Sequence, residues 1–280
     1  MQIARTIAEL RAQLARWRQS DERIGLVPTM GALHDGHMAL VGAAKAACDR
    51  VVATIFVNPK QFAPTEDLGA YPRREAADLD MLRASRVDLA FIPAAEEIYP
   101  PEFATLVRVS GLSEGLCGAH RAGHFDGVAT VVAKLLIQSM PDFAYFGEKD
   151  YQQLMVIRRL ARDLDLPVRI KGIATVREPD GLALSSRNAY LTAAERQTAP
   201  ALARELRGIA AALAAEPTAI AREIERGEAA LTKAGFGVEY LEIRSAEGLA
   251  PITSALAVPA RVLAAVRLGR TRLLDNIAIG

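Results

Sequence analysis

VPTMGALHDGHMAL, Val27 to Leu40, is the stretch that decides the fold. It joins an apolar run, IGLVP (Ile24 to Pro28), to a helical pattern, GHMALVGAAKAACD. The run is short and continuously apolar, which fits a strand buried on both faces. Between strand and helix stand His34 and His37, three residues apart, with Gly25, Gly31 and Gly36 nearby. Glycines let a backbone approach a ligand closely. A helix N-terminus offers free N–H groups and a partial positive charge, which suit phosphate. Two other readings of the histidines remain: a metal site, with His120 or His124 as a third ligand, and plain packing. No cysteine or carboxylate stands near them at a zinc-like spacing.

Working outward, the same alternation recurs. RVVATIFV (Arg50 to Val57) reads as a second buried strand, Arg73 to Ser85 as a helix, and VDLAFIP as a third strand. Phe125 to Met140 reads as a helix, DFAYFGE (Asp142 to Glu148) as a strand, and Tyr151 to Asp163 as the following helix. VRIKGIATV either continues the sheet or leads out of it. Apolar strands alternating with helices predict a parallel sheet covered on both faces. Before all this, Ile3, Ile7, Leu10, Leu14 and Trp17 recur at steps of three and four, one face of an amphipathic helix. Its arginines resemble those of a transit peptide, but Glu9, Asp21 and Glu22 argue against one.

The texture changes after about Glu178. Leu191 to Ala215 and Thr218 to Gly235 read as two Ala-rich helices. Gly237 to Arg244, Ala260 to Leu268 and Thr271 to Ile279 read as alternating strands. Helices followed by strands predict a smaller α+β unit with an antiparallel sheet. The domains expected are therefore 1–178 and 179–280.

The chain has 280 residues, 51% of them hydrophobic, and a formal charge of +1. That balance gives no reason to expect nucleic acid or a membrane as partner. No run reaches the ~18 apolar residues of a membrane helix. Cys48 and Cys117 alone make no disulfide framework and read as reduced thiols of a cytosolic protein.

Four more stretches carry chemistry. FGEKDYQQL (Phe146 to Leu154) follows a strand and opens a helix, so Lys149 and Asp150 face the same sheet edge as the histidines. A lysine at a helix N-terminus opposes the helix dipole, which calls for an anionic partner. Gln152 and Gln153 offer neutral donors and acceptors there. LSSRN (Leu184 to Asn188) brings two hydroxyls and a guanidinium, a phosphate clamp. NPKQF (Asn58 to Phe62) opens a loop running to Pro72, and Gln61 is placed to reach the crevice. In HRAGHFDGV (His120 to Val128), Arg121 is either a second cation or a solvated loop residue.

In this order and spacing, with the closing TRLLDN, the stretches resemble the pantothenate synthetase family of the HxGH nucleotidyl-transferase group. The resemblance spans nearly the whole chain. It implies a Rossmann-like N-terminal domain, a small C-terminal lid domain, a cytosolic homodimer, and condensation of pantoate with β-alanine using ATP and magnesium through an acyl adenylate. It implies that Met30, Gly31, Ala32, Leu33, His34, Asp35, Gly36 and His37 hold ATP. Gly147, Glu148, Lys149 and Asp150 join them, with Val176 by the adenine and Leu184, Ser185, Ser186 and Arg187 as the mobile loop. Catalysis falls to His34, His37, Lys149, Ser185, Ser186 and Arg187, pantoate binding to Gln61 and Gln153, and magnesium to Asp78. The chain departs from the family pattern at Leu184, where many members have methionine, and at Ala122, where many have proline. Two further readings of the residues are a nucleotidyltransferase that releases a stable nucleotide conjugate and a nucleotide-binding regulator.

Overall fold

The computed structural model describes residues 1–63 and 68–280. Six strands, β1 (Gln2–Ala4), β2 (Ile24–Thr29), β3 (Arg50–Ile55), β4 (Leu89–Phe91), β5 (Phe143–Gly147) and β6 (Arg169–Ile173), form one sheet. Their order is β1-β4-β3-β2-β5-β6, and every pairing is parallel. VRIKGIATV thus continues the sheet. The helices of this part are α1 (Ile7–Gln19), α2 (Asp35–Ala47), α3 (Glu75–Ala84), α4 (Ala95–Ile98), α5 (Cys117–His120), α6 (His124–Ser139) and α7 (Tyr151–Asp163). Side chains alternate across a strand, so neighbouring β2 residues serve two cores. Leu26 joins the core that includes residues of α1, α6 and α7, while Val27 joins the one beside α2 and α3.

The strand order reverses around β2. From β2 the chain builds outward through β3 to β4, then returns to place β5 on the other side of β2. Ligands of open α/β sheets bind beyond the carboxyl ends of the strands at such a switch point. VPTMGALHDGH leads out of β2 and FGEKD leads out of β5, so topology alone brings the two stretches together.

The remaining elements are α8 (Ala193–Thr198), α9 (Ala201–Ala215), α10 (Ile220–Lys233), β7 (Gly237–Ser245), β8 (Ala260–Leu268) and β9 (Thr271–Ile279). The three strands form an antiparallel sheet in sequence order. One apolar cluster joins this sheet to α9 and α10.

Three local readings change. Ile3 lies on β1, an edge strand paired with β4, and not on the first helix. That helix begins after Thr6, whose hydroxyl accepts from Glu9 N–H while the Glu9 carboxylate accepts from Thr6 N–H. The expected helix from Leu191 to Ala215 is two, α8 and α9, with Ala199 and Pro200 between them. Proline has no N–H to continue a helical ladder. In the loop after β3, Pro59–Gln61 forms a 3-10 turn capped by Asn58. Pro64, one basis of the loop reading, lies outside the described residues. Among the described residues no helix is long and apolar enough to cross a membrane.

Candidate active site

The loop after β2 is held in an unusual conformation. Gly31 has φ +79° and Ala32 has φ +49°. A Cβ at Gly31 would stand 2.9 Å from the Asp78 carboxylate, so only glycine fits. Asp78, on α3 and 2% exposed, accepts from Ala32 N–H through Oδ2 at 2.9 Å and from Leu33 N–H through Oδ1 at 2.8 Å. Thr29 Oγ accepts from Gly31 N–H. Asp78, expected at magnesium, therefore spends both oxygens on the loop backbone.

That bracing delivers the histidines. His34 is the N-cap of α2, and its Nδ1 accepts from Gly36 N–H at 3.1 Å. The Nδ1 of His37 accepts from His34 N–H at 3.3 Å. A nitrogen that accepts carries no proton, so each neutral ring holds its proton on Nε2 and is left with a donor. The ring centres are 4.1 Å apart. Burial, then the charge of His34 and of Lys149, pushes His37 down to about 3. Burial, then Lys149, also lowers His34. Both shifts favour the neutral rings, and an anionic phosphate beside them would favour the protonated form.

Beyond β5, Glu148–Asp150 forms a 3-10 turn leading into α7. Lys149 Nζ lies 3.8 Å from the Asp150 carboxylate, the anionic partner expected from the dipole argument. Beyond β6, a tight hairpin returns Leu184 N–H to Val176 O at 3.0 Å. It feeds Leu184–Arg187 to the same place. Ser186 Oγ donates to Ala32 O at 3.2 Å, which stitches this stretch to the histidine loop. The Ser185 hydroxyl accepts from Arg187 N–H, and the Arg187 guanidinium lies over the Tyr71 ring.

All these stretches border one cleft of about 670 Å³. Met30, His34, Gly36, His37, Gly147, Lys149, Asp150, Val176, Leu184, Ser185, Ser186 and Arg187 line it, as do Gln61 and Gln153. Gly31, Ala32, Leu33, Asp35 and Glu148 belong to the same turns without lining it. Arg121, ambiguous in sequence, is a lining residue and lies 2.9 Å from His124 Nε2. Among the described residues no three His, Cys, Asp or Glu side chains group as a metal site.

The surroundings of Gln61 are set by residues that the sequence did not single out. Asn58, 1% exposed, donates from its amide to Gln61 Oε1 at 3.0 Å and to Gly127 O at 3.1 Å, and its Oδ1 accepts from Tyr99 OH at 2.7 Å. With its oxygen engaged, Gln61 turns its NH₂ toward Met30 Sδ and the cleft. A Cβ on Gly127 would enter the Lys60 carbonyl, so only glycine lets α6 approach this turn. The two glutamines of α7 divide. Gln153 faces the cleft, while Gln152 is buried, donating to Leu112 O and Gly115 O and accepting from Cys117 N–H. A helix turns about 100° per residue, so adjacent residues cannot share a face.

Fold and site together define an α/β nucleotide-binding enzyme that works at a strand-order switch with an HxGH loop. The family described as pantoate-beta-alanine ligase matches residues 2–278. A pantothenate synthetase of Paramagnetospirillum magneticum is 56% identical over 99% of this chain and 97% of its own. One from Caulobacter vibrioides is 55% identical over 99% and 98%. The crystal structure of pantothenate synthetase from Thermus thermophilus superposes with a TM-score of 0.93 at 48% identity, covering 99% of both chains. A pantoate-beta-alanine ligase from Francisella tularensis, complexed with beta-gamma ATP and beta-alanine, has a TM-score of 0.80 at 33% identity, covering 99% of this chain and 97% of that one. The chain belongs to the pantoate–β-alanine ligase family, and it is an enzyme of that reaction.

Proposed function

We propose that pantothenate is made here in two half-reactions within the one cleft. A pantoate carboxylate oxygen attacks the α-phosphorus of ATP, and pyrophosphate leaves. The β-alanine amine then attacks the carbonyl carbon of the pantoyl adenylate, loses a proton, and AMP leaves. A carboxylate is a poor electrophile, and converting it to a mixed acyl–phosphate anhydride gives the carbonyl carbon a good leaving group.

The observation that carries this reading is convergence. The histidine loop, the Lys149 turn and Leu184–Arg187 border the same cleft as Gln61 and Gln153. In this reading His34 and His37 donate from Nε2 to the phosphates, and Lys149, Ser185, Ser186 and Arg187 meet the charge that moves onto the leaving pyrophosphate. Val176 and Leu184 border the nucleoside. Gln61 donates to pantoate oxygens, because Asn58 already occupies its acceptor. No covalent nucleophile is required, and both cysteines are buried away from these roles.

Magnesium is a hard cation that keeps water and binds phosphates with one or two carboxylates. Asp150, in the cleft beside Lys149, fits as that carboxylate better than Asp78, which is 2% exposed, does not line the cleft, and already accepts a backbone amide on each oxygen. When bound, the metal supplies further neutralisation of phosphate charge. A homodimer and a cytoplasmic location accompany the family resemblance, and the two buried free thiols support the second.

Isotope exchange tests the stepwise mechanism. Labelled pyrophosphate is expected to enter ATP when pantoate is present and β-alanine absent. Formation of ADP, or exchange that requires β-alanine, would overturn it. Pyrophosphate without AMP in the full reaction would favour the nucleotidyltransferase reading instead.

A further inference from the structure

One dipeptide of the C-terminal strand touches both the Lys149 turn and the hairpin that presents Leu184–Arg187. Asp275 and Asn276 are adjacent on β9, and each is 3% exposed. Asp275 forms a two-pronged ion pair with Arg177, at 2.6 and 2.8 Å. The same guanidinium donates to Gly181 O. Arg177 and Gly181 belong to the hairpin that presents Leu184–Arg187, so Asp275 anchors that hairpin at its root. Asn276 reaches the other way. Its amide NH₂ donates to Glu148 O and to Lys149 O, both at 2.9 Å. These are the carbonyls of the turn that carries the lysine.

The orientation of the Asn276 amide is forced. Its Oδ1 accepts from Arg261 at 2.8 Å. Arg261 is fixed in turn by Glu148 and by stacking 4.1 Å from the Tyr151 ring centre. A flipped amide would set its oxygen against two carbonyls and its NH₂ against a guanidinium, losing every bond. The backbone adds a direct link, for Asn276 N–H donates to Asp275 Oδ1 at 2.7 Å.

We propose that Asp275 and Asn276 are a paired positioning device that holds the Lys149 turn and the Leu184–Arg187 stretch in fixed relation for the adenylation step. Asn276 does not line the cleft, and Asp275, which does, has both carboxylate oxygens on Arg177. Asn276 acts through Lys149, and Asp275 acts through Arg177 on the serine–arginine stretch. The small C-terminal sheet thereby enters the chemistry through its side chains rather than as a cover alone. The inference rests on the reading of Lys149 and Arg187 as phosphate-handling groups.

The test is a double-mutant cycle read by pyrophosphate–ATP exchange on the full chain. Asn276→Asp keeps the size and the acceptor for Arg261 but loses the two donors. It is expected to lower the exchange kcat by roughly tenfold to a hundredfold, the scale of a small misplacement of a catalytic group, with little change in KM for pantoate. In a Lys149→Ala background the same change is expected to cost less than about twofold, because the group it positions is gone. Asp275→Asn is expected to behave likewise against Arg187→Ala. Full additivity in both cycles would overturn the proposal and leave a merely structural pair. If Lys149→Ala itself left exchange intact, the catalytic reading of Lys149 would fail, and the Asn276 arm would fall with it. If Lys149→Ala were slow but the Asn276 change additive, that arm alone would fail. Should Asn276→Asp not fold, as judged by its melt, Asn276→Leu removes both donors at similar volume without adding charge, and the same cycle applies.

Discussion

Asp78→Asn separates loop bracing from metal binding, and the structure fixes its expected cost. The two Asp78 oxygens accept from Ala32 and Leu33 N–H groups. Asparagine has one oxygen, so whichever way its amide turns, one backbone N–H faces another donor. A hydrogen bond to a charged group contributes about 1.5–3 kcal/mol, and the surviving bond falls to the neutral range near 1 kcal/mol. The side chain is 2% exposed, so no water takes the missing place. The net loss is then about 3 kcal/mol. Unfolding entropy near 2.1 cal/mol/K per residue gives roughly 0.6 kcal/mol/K for this chain, hence a melting temperature lower by about 5 °C. With the brace weakened, the left-handed turn at Gly31 and Ala32 relaxes and His34 and His37 move with it. The exchange rate is expected to fall while the magnesium concentration for half-maximal rate stays constant. Calorimetric melts and exchange assays across a magnesium titration give both readouts. An unchanged melt with a higher magnesium requirement would refute the reasoning and make Asp78 a metal ligand.

Acid stability should carry the signature of His37. Its folded pKa of about 3 lies below the ordinary histidine value, so the unfolded chain binds the proton first. Stability falls as pH drops below about 6.5, by up to ~1.4 kcal/mol per pH unit, until about pH 3. The melting temperature of wild type should fall relative to that of His37→Gln as pH drops from about 6.5 to 3; parallel curves would show that the ring is not held neutral. Gly36→Ala should leave the fold intact, since the new methyl would stand 2.9 Å from a side-chain ring and not from backbone. The His34 ring must shift to admit it, and exchange should slow roughly a hundredfold, the cost of an ångström-scale misplacement; a normal rate would mean that the ring position is unimportant.

Much of the fold was legible because the main strands of the large sheet are apolar runs that alternate with helical patterns. β1 was not, since three residues carry too little pattern, and Ile3 fell by chance on the phase of α1. The break at Pro200 was visible as a proline, but alanines on both sides kept the helical pattern running. In the site, residues flanking β2 and β5 could be found because topology sends every strand end to one edge. Asn58 stood inside a quoted motif, yet its bond to Gln61 needs the 3-10 turn to bring the amides together. Gln152 and Gln153 are chemically identical neighbours, and only the facing of α7 tells a buried brace from a lining residue. Asp78 meets the histidine loop across α3, a contact that no local spacing encodes.

The place of β1 bears on how the chain reaches this state. Gln2–Ala4 pairs with Leu89–Phe91 and closes one side of the large sheet. Gln2 N–H donates to Asp88 O, and Ile92 N–H to Ala4 O. During synthesis β1, made before its partner, must therefore wait until β4 has been made and has found β3. Contacts so distant along the chain form slowly. Until β1 returns, β4 presents a bare edge of backbone donors and acceptors, the kind of surface on which chains associate wrongly. β1 thus caps β4 late with a short three-residue edge, and deleting Gln2–Ala4 would be felt as aggregation during folding sooner than as lost activity.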